Sequence, residues 1–265
     1  MKYLALDFGG SSVKYGLVDG ESAQITNTGK EPAPLRSIEE FVDTVGKLYD
    51  RFRGEIGGIG ISLPGNIDPN TGYLFGNGVY TNLYEHSIYD LLKDRCPVPI
   101  AVENDGKCGA LSEAWKGGLS DVKDGAVVIL GSGIAGGLIK DGKIHSGLGF
   151  NAGEFSYLIT APEDYSMFSC AFMNCAALGI TYKLMKLKNL DPDAQDSAPT
   201  MHFLDSMYAG RYPAPQEPLA KIKADGRQFF RWVEEGDEAA LQVYREAIKS
   251  LAILIFNVQI CYAQE

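Results

Sequence analysis

The sequence predicts an α/β fold built from two related halves. Three observations carry this. Short apolar runs with strand composition alternate with amphipathic stretches at helical spacing. A strand, a glycine turn and a second strand ending near Asp-Gly occur twice, at residues 4–20 and 127–142. The chain has 265 residues, 45% of them hydrophobic, which suffices for a large core and one to two domains.

The first unit is "LALDFGGSSVKYGLVDG", residues 4–20. Strands are expected at 3–7 and 13–18, and Asp19-Gly20 reads as a tight hairpin turn, because both residues tolerate positive φ. A third strand follows near 24–30. "SIEEFVDTVGKLYDRFR", residues 37–53, is an amphipathic helix with Ile38, Phe41, Val42, Val45, Leu48, Tyr49 and Phe52 on one face; Ser37 and Glu40 resemble a capping box. "GGIGISLPGNID" gives a short strand and a Pro-Gly turn. Residues 85–95 look helical, 98–102 reads as a buried strand, and a helix is expected over 105–116.

"VVILGSGIAGGLIKDG", residues 127–142, repeats the layout of the opening stretch. A repeat of roughly 120 residues is too long for a solenoid and points to a duplicated domain. Residues 169–190 read as mostly helical and the proline-rich 191–216 as irregular. Helices are expected over 217–234 and 237–263. The last, through "LAILIFNVQICYA", is apolar on all sides and should be buried. The domains expected are 1–106 and 107–265.

Charge and composition exclude several classes. Twenty-four Lys and Arg against 34 Asp and Glu give −10, with no basic block to grip nucleic acid. No apolar run is long enough to span a membrane, and Asp7 interrupts the first apolar stretch, unlike a signal peptide. Five widely spaced cysteines, Cys96, Cys108, Cys170, Cys175 and Cys261, read as reduced thiols of a cytoplasmic protein. His86, His145 and His202 lie far apart, without zinc-site spacing.

Three constellations could carry chemistry. Gly9, Gly10, Ser11 and Ser12, and again Gly131, Ser132 and Gly133, are either ordinary tight turns or anion nests whose backbone amides and hydroxyls hold phosphate. Two matched copies favour phosphate, with Asp7 placed for Mg²⁺ directly or through water. A Walker loop does not fit "GGSSVKYG", and "GSGIAG" continues as a strand where a dinucleotide fingerprint needs a helix. In "AVENDGKCGALSEAW", Asn104 and Asp105 are either simple helix caps or ligand-binding residues at the carboxyl end of a strand, where the helix N-terminus would keep Asp105 ionised as a base. In "GFNAGEFSYL", Glu154 follows a Gly-rich loop and is either a solvated surface carboxylate, the usual state of a lone Glu, or a ligand-binding one.

These segments, in this order, resemble the ROK family of sugar kinases and related repressors. The resemblance covers nearly the whole chain. It implies the actin-like ATPase (RNase H-like) fold, with two domains and an interdomain cleft. It implies ATP- and Mg²⁺-dependent phosphorylation of a hexose or hexose-like sugar, glucokinase-like, at the 6-hydroxyl. β-Glucosides or N-acetylhexosamines are alternative substrates, and a catalytically weak sugar-binding or regulatory protein is the alternative role. Asp105 would be the catalytic base, and Gly65, Asn82, Asn104 and Glu154 would bind the sugar. Asp7 would position Mg²⁺, and Gly9, Gly10, Ser11, Ser12, Lys14, Gly131, Ser132 and Gly133 would hold ATP phosphates. The expected partners are sugar and ATP, with a homodimer implied by the family and neither nucleic acid nor membrane.

The sequence departs from the family pattern in three places. Tyr157 stands where many members carry a zinc-binding His, and "FSCAFMNCAALGITYKL" lacks the Cys-x-Cys-Gly order, so no zinc site is expected. The family's strand, adenosine loop and last helix are not found after "YAQE", so a truncated C-terminal end is expected. No helix-turn-helix precedes the first strand, which argues against a repressor.

Overall fold

β1 (Lys2–Phe8), β2 (Ser12–Asp19) and β3 (Ile25–Pro32) form an antiparallel meander, with Asp7 opposite Lys14 and Phe8 opposite Val13. α1 (Ile38–Phe52) then crosses to β4 (Ile56–Leu63), which lies parallel to β1. The computed structural model describes residues 1–161, 166–194, 204, 219–222 and 225–262. These fall into two compact units, one of Met1–Val127 with Gly136–Gly153, the other of Val128–Ala135 with Glu154–Gln264.

In the first unit, β5 (Asn66–Asp68), β6 (Tyr73–Gly76) and β7 (His86–Ser87) make a small antiparallel sheet. α2 (Ile88–Leu92) leads to β8 (Ile100–Asn104), parallel to β4, and β8 runs directly into α3 (Asp105–Lys116). The main sheet has the order β3-β2-β1-β4-β8. Its core follows from strand alternation: Leu4, Leu6 and Phe8 of β1 are buried against Phe41, Val45, Leu48, Tyr49 and Phe52 of α1, while Ile38 and Val42 pack at its edge. α1 starts at Ser37, whose hydroxyl accepts from the Glu40 amide at 3.2 Å. Glu40 reaches back to the Arg36 amide at 3.0 Å, one residue before the donor of the usual capping box.

β9 (Gly125–Leu130), β10 (Ile134–Lys140) and β11 (Lys143–His145) form the second meander, in the order β11-β10-β9. This repeats the β3-β2-β1 order of the first sheet, so the duplication read from the glycine turns is a repeat of topology. Asp141 and Gly142 both take positive φ, 51° and 72°, as a two-residue hairpin turn requires. The second unit continues with α4 (Ala171–Cys175), α5 (Ala177–Leu187), α6 (Gly226–Glu234) and α7 (Glu238–Tyr262). One of its clusters joins Ile180 and Leu184 of α5, Phe229 of α6, and Ala240, Val243 and Ala247 of α7.

Several local expectations change. Asp19-Gly20 is not a two-residue turn: Asp19 Oδ1 accepts from the Glu21 and Ser22 amides, and the positive φ falls on Ala23. The helix expected over 85–95 shrinks to Ile88–Leu92, because His86 and Ser87 pair with Leu74 and Tyr73 of β6. The strand expected at 98–102 begins after Pro99 and extends through Asn104, since a proline nitrogen cannot donate to the ladder. The helix expected over 217–234 begins at Gly226, and residues 217, 218, 223 and 224 lie outside the described residues, as does most of 195–216. α7 is buried on one face only: Val243, Leu254 and Val258 face inward, while Ile255, Phe256 and Ile260 are exposed among the described residues. No helix of the described residues is long and apolar enough to cross a membrane.

Candidate active site

Sheet register places Asp7 at the end of β1, between Lys14 of β2 and Ser62 of β4. Ser62 Oγ donates to Asp7 Oδ1 at 3.0 Å and Lys14 Nζ lies 3.3 Å from Oδ2. The carboxylate still keeps half of its surface, 51%, open to solvent. An exposed carboxylate held at both oxygens fits the hard oxygen ligand that Mg²⁺ takes, directly or through water.

The turn after β1 is a backbone platform. Gly9 N–H donates to Ser12 O at 3.0 Å, and the Tyr80 hydroxyl donates to Gly9 O at 2.8 Å. Tyr80 is fully buried and sets its ring edge against Phe8; burial pushes its hydroxyl pKa well up. A Cβ on Gly10 would meet only Val79, at 3.9 Å, and Gly10 is not among the glycines with positive φ. Neither packing nor φ therefore requires glycine there, and the missing side chain leaves a cradle open to a ligand's approach.

The second turn lies in the second unit and has the same property: a Cβ on Gly131 would meet nothing closer than Gly133 O at 3.8 Å. Its carbonyls are tied down. Gly131 O accepts from Ala177 N at 3.0 Å and Ser132 O from Leu178 N at 3.2 Å, in the first turn of α5. Ser156 Oγ, just beyond Glu154, accepts from Ile134 N at 3.0 Å and donates to Ile134 O at 2.8 Å. Ser156 is a support that the sequence reading missed.

The END segment joins strand end to helix start. Asn104 is the N-cap of α3: its Oδ1 accepts from Lys107 N at 3.1 Å, and its Nδ2 donates to Gly65 O at 3.1 Å. The capping and binding readings of this residue are thus not exclusive, since one side chain ends the strand, starts the helix and fixes Gly65. Gly65 takes φ 127°, and a Cβ on it would lie 2.8 Å from the carbonyl oxygens of both Gly76 and Asn77. Gly78 is equally tight against Pro64 O, at 2.8 Å. The chain from Gly76 to Tyr80 is therefore packed on the Pro64–Gly65 turn, and Asn82 follows it. Both amide atoms of Asn82 are buried without a hydrogen-bond partner, a costly arrangement unless a ligand completes it. Asn66 Oδ1, beside Gly65, is in the same state.

Asp105 is the first residue of α3, and its Oδ1 accepts from Gly106 N at 2.8 Å. Its pKa is raised above the ordinary aspartate value, chiefly by burial and further by the nearby Asp7 charge, while the Gly106 amide at the helix N-terminus pulls it down. A raised carboxyl with local amide support suits a general base. Glu103 beside it is also raised by burial, and its Oε1 accepts from Asn104 N at 2.8 Å.

Two glycines let α3 approach the second meander, and a third lets the chain after β11 approach it. A Cβ on Gly106 would lie 2.5 Å from both N and O of Gly136, one on Gly137 would lie 2.6 Å from Ala110 Cβ, and one on Gly153 (φ 93°) would lie 2.8 Å from Gly136 O. Lys107, only 1% exposed, runs through this seam and donates from Nζ to Phe150 O at 2.7 Å. A buried lysine is rare without a partner. The available signal was its place, with Gly106 and Ala110, on the inward face of α3.

The structure thus brings Asp7, Gly9, Gly65, Asn104 and Asp105 into one unit, while Gly131, Ser132, Gly133 and Glu154 belong to the other. Tyr157 is about half exposed. Cys170 caps α4 and Cys175 closes it; among the described residues no three His, Cys, Asp or Glu side chains gather to hold a metal.

Comparison with known proteins gives one family and one fold. The ROK family model matches residues 3–265. A β-glucoside kinase of Listeria innocua is 31% identical over 160 residues, covering 60% of this chain and 54% of its own length. The chain thus spans about half the length of such relatives. An N-acetyl-D-glucosamine kinase of Haemophilus influenzae is 26% identical over 265 residues, covering 97% of this chain and 79% of its own. Among solved structures, a ROK family glucokinase from Streptomyces griseus, in complex with glucose and AMPPNP, superposes with a TM-score of 0.75 at 20% identity. It covers 100% of this chain and 81% of its own. The fold is the actin-like ATPase fold.

Proposed function

The chain belongs to the ROK family, and from that premise we propose that it is an ATP-dependent sugar kinase acting on the 6-hydroxyl of a hexose or hexose-like sugar. The observation that carries the reading is the tie from Asn104 Nδ2 to Gly65 O at 3.1 Å. It holds two sugar-binding segments together at the residue next to Asp105. Relatives named as glucokinase, β-glucoside kinase and N-acetyl-D-glucosamine kinase support the same class.

Asp105 accepts the proton of the attacking hydroxyl. Its raised pKa brings it nearer the working pH of a base than an exposed aspartate. Asn82 offers its unpartnered amide to sugar hydroxyls, Gly65 and Asn104 line the same segment, and Glu154 is assigned a sugar hydroxyl in the second unit. Asp7 is assigned Mg²⁺, and the turns at Gly9–Ser12 and Gly131–Gly133, with Lys14, are assigned the phosphates. ATP supplies the transferable phosphoryl group when bound, and Mg²⁺ offsets its charge.

The test is Mg²⁺-dependent ADP release over a panel of glucose, N-acetylhexosamines and β-glucosides. Sugar-dependent release that falls at least a hundredfold in Asp105→Ala supports the proposal. Wild-type turnover in that variant would remove Asp105 as base. Calorimetric sugar binding without turnover across the panel would replace the kinase with a sugar-binding protein.

A further inference from the structure

The chain between β6 and β7 joins a proposed sugar-binding side chain to the first glycine turn. Residues 78–84 form a small closed block. Thr81–Leu83 make a single 3₁₀ turn, with Leu83 N–H donating to Tyr80 O at 3.0 Å and Tyr84 N–H to Thr81 O at 3.3 Å. The Tyr84 hydroxyl donates back to Gly78 O at 2.5 Å and closes the block on itself. Left-handed residues stand where the block meets the sheet, Asn77 at φ 65° and Glu85 at φ 62°, a conformation uncommon outside glycine.

Tyr80 carries the block to the turn after β1, its hydroxyl donating to Gly9 O at 2.8 Å. Gly9 C=O and Gly10 N–H belong to one planar trans peptide, so fixing the first aims the second the opposite way. Gly9 N–H is committed to Ser12 O at 3.0 Å. The Tyr80 bond therefore sets the direction in which Gly10 N–H is offered to an anion. Val79 stands over the same turn, its Cγ2 3.9 Å from where a Gly10 Cβ would lie.

Asn82 sits in the 3₁₀ turn two residues further on, with both amide atoms buried and unpartnered. A displacement that brings water to the amide relieves its desolvation cost. Gly78 is fixed tightly against Pro64, so the block tilts about that end, and its internal bonds make the Tyr80 hydroxyl move with Asn82. A small tilt is enough, because a hydrogen bond weakens steeply with angle; the Tyr80 ring stays in the core with its edge against Phe8. A polar ligand on Asn82 removes the cost and holds the block down.

We propose that Tyr80 is a positioning residue that couples the two substrates. A sugar hydroxyl held by Asn82 steadies the block, and the Tyr80 hydroxyl then fixes the Gly9–Gly10 peptide for a phosphate of ATP. This rests on the sugar-kinase reading. The coupling is reciprocal, so phosphate on the turn tightens sugar binding by the same factor. A ring that only filled the core would do as well without its hydroxyl.

Amide hydrogen exchange on peptides covering Gly9–Lys14, with and without saturating sugar, tests this without any nucleotide. The sugars are glucose, N-acetyl-D-glucosamine and methyl β-glucoside, and calorimetry first shows which of them bind. In wild type the bound sugar should slow exchange at Gly9–Ser12 by about fivefold, the worth of one hydrogen bond. In Tyr80→Phe the sugar should still bind and still slow exchange over 81–83, yet leave Gly9–Ser12 at its sugar-free rate. Tyr84→Phe, which opens the block and spares Tyr80, should weaken the effect as well, and it serves as the test if Tyr80→Phe does not fold. Sugar binding without slowing of the turn in wild type, or the full slowing in either variant, overturns the coupling and leaves the kinase reading intact. Exchange at the turn that is faster in Tyr80→Phe by one factor with and without sugar makes Tyr80 purely structural and overturns it too. Failure of every sugar to bind, with ADP release absent across the panel, overturns both.

Discussion

Replacing Gly106 with alanine puts the packing of α3 to a test in which the expected sign is reversed. In a solvated helix the change stabilises by about 1 kcal/mol, because alanine loses less backbone freedom. Here the new Cβ would lie 2.5 Å from both N and O of Gly136, with ordinary contact starting at 3.4 Å. Those are backbone atoms of β10, which cannot rotate away, so the first turn of α3 must retreat by about 0.9 Å, a strain of the order of 1–3 kcal/mol. That turn carries Asn104 and Asp105, and a displacement of about 1 Å at a reacting group costs on the order of a hundredfold in rate. The melting temperature should fall and sugar-dependent ADP release should drop by about two orders of magnitude. Gly60→Ala is the control, since a Cβ there meets nothing within 4 Å. A Gly106→Ala protein as stable and as active as wild type would refute the close-packed seam.

Asp105→Asn should lower turnover by about 10²–10⁴-fold and raise stability at neutral pH. The sign follows from the raised pKa: between the unfolded value of 3.8 and the higher folded value the native state holds the extra proton. Stability therefore falls as pH rises through that window and stays lower above it. Denaturant melts across pH should show this loss in wild type and not in the variant, and the acid limb of kcat/KM should lie above 3.8. Ser37→Ala should destabilise by about 1 kcal/mol through loss of the α1 cap, read as a lower denaturant midpoint with activity retained. Elemental analysis should find well under one zinc per chain, and stoichiometric zinc would contradict the reading of Tyr157.

Much of this arrangement was legible because it depends on local signals. The α1 stripe and Ser37 cap, the start of α3 at Asp105 and the two glycine turns all come from neighbours in sequence. The misreadings share a different cause. His86 and Ser87 pair with β6 rather than extending α2, a choice made by a strand more than ten residues away. Asp19 organises its turn through side-chain acceptance, and the left-handed residue is Ala23 rather than Asp19 or Gly20. The burial of Lys107 and the hold of Ser62 on Asp7 need the packed sheet, which no window of sequence displays. For Asn104 the capping reading is the one the structure displays, with its Oδ1 on the Lys107 amide.

The cysteines provide a ready gauge of internal opening. Cys96 and Cys108 lie in the first unit and Cys170 and Cys175 in the second, while Cys261 is exposed. Burial raises the first four thiols, Cys108 to about 12 and Cys175 to about 11, so each is poor in the reactive thiolate while folded. An alkylating reagent should therefore mark Cys261 at once and reach the others as their surroundings come apart. Peptide-resolved labelling would then clock the two halves of the molecule separately, with Cys108 timing the neighbourhood of Asp105 without any added probe.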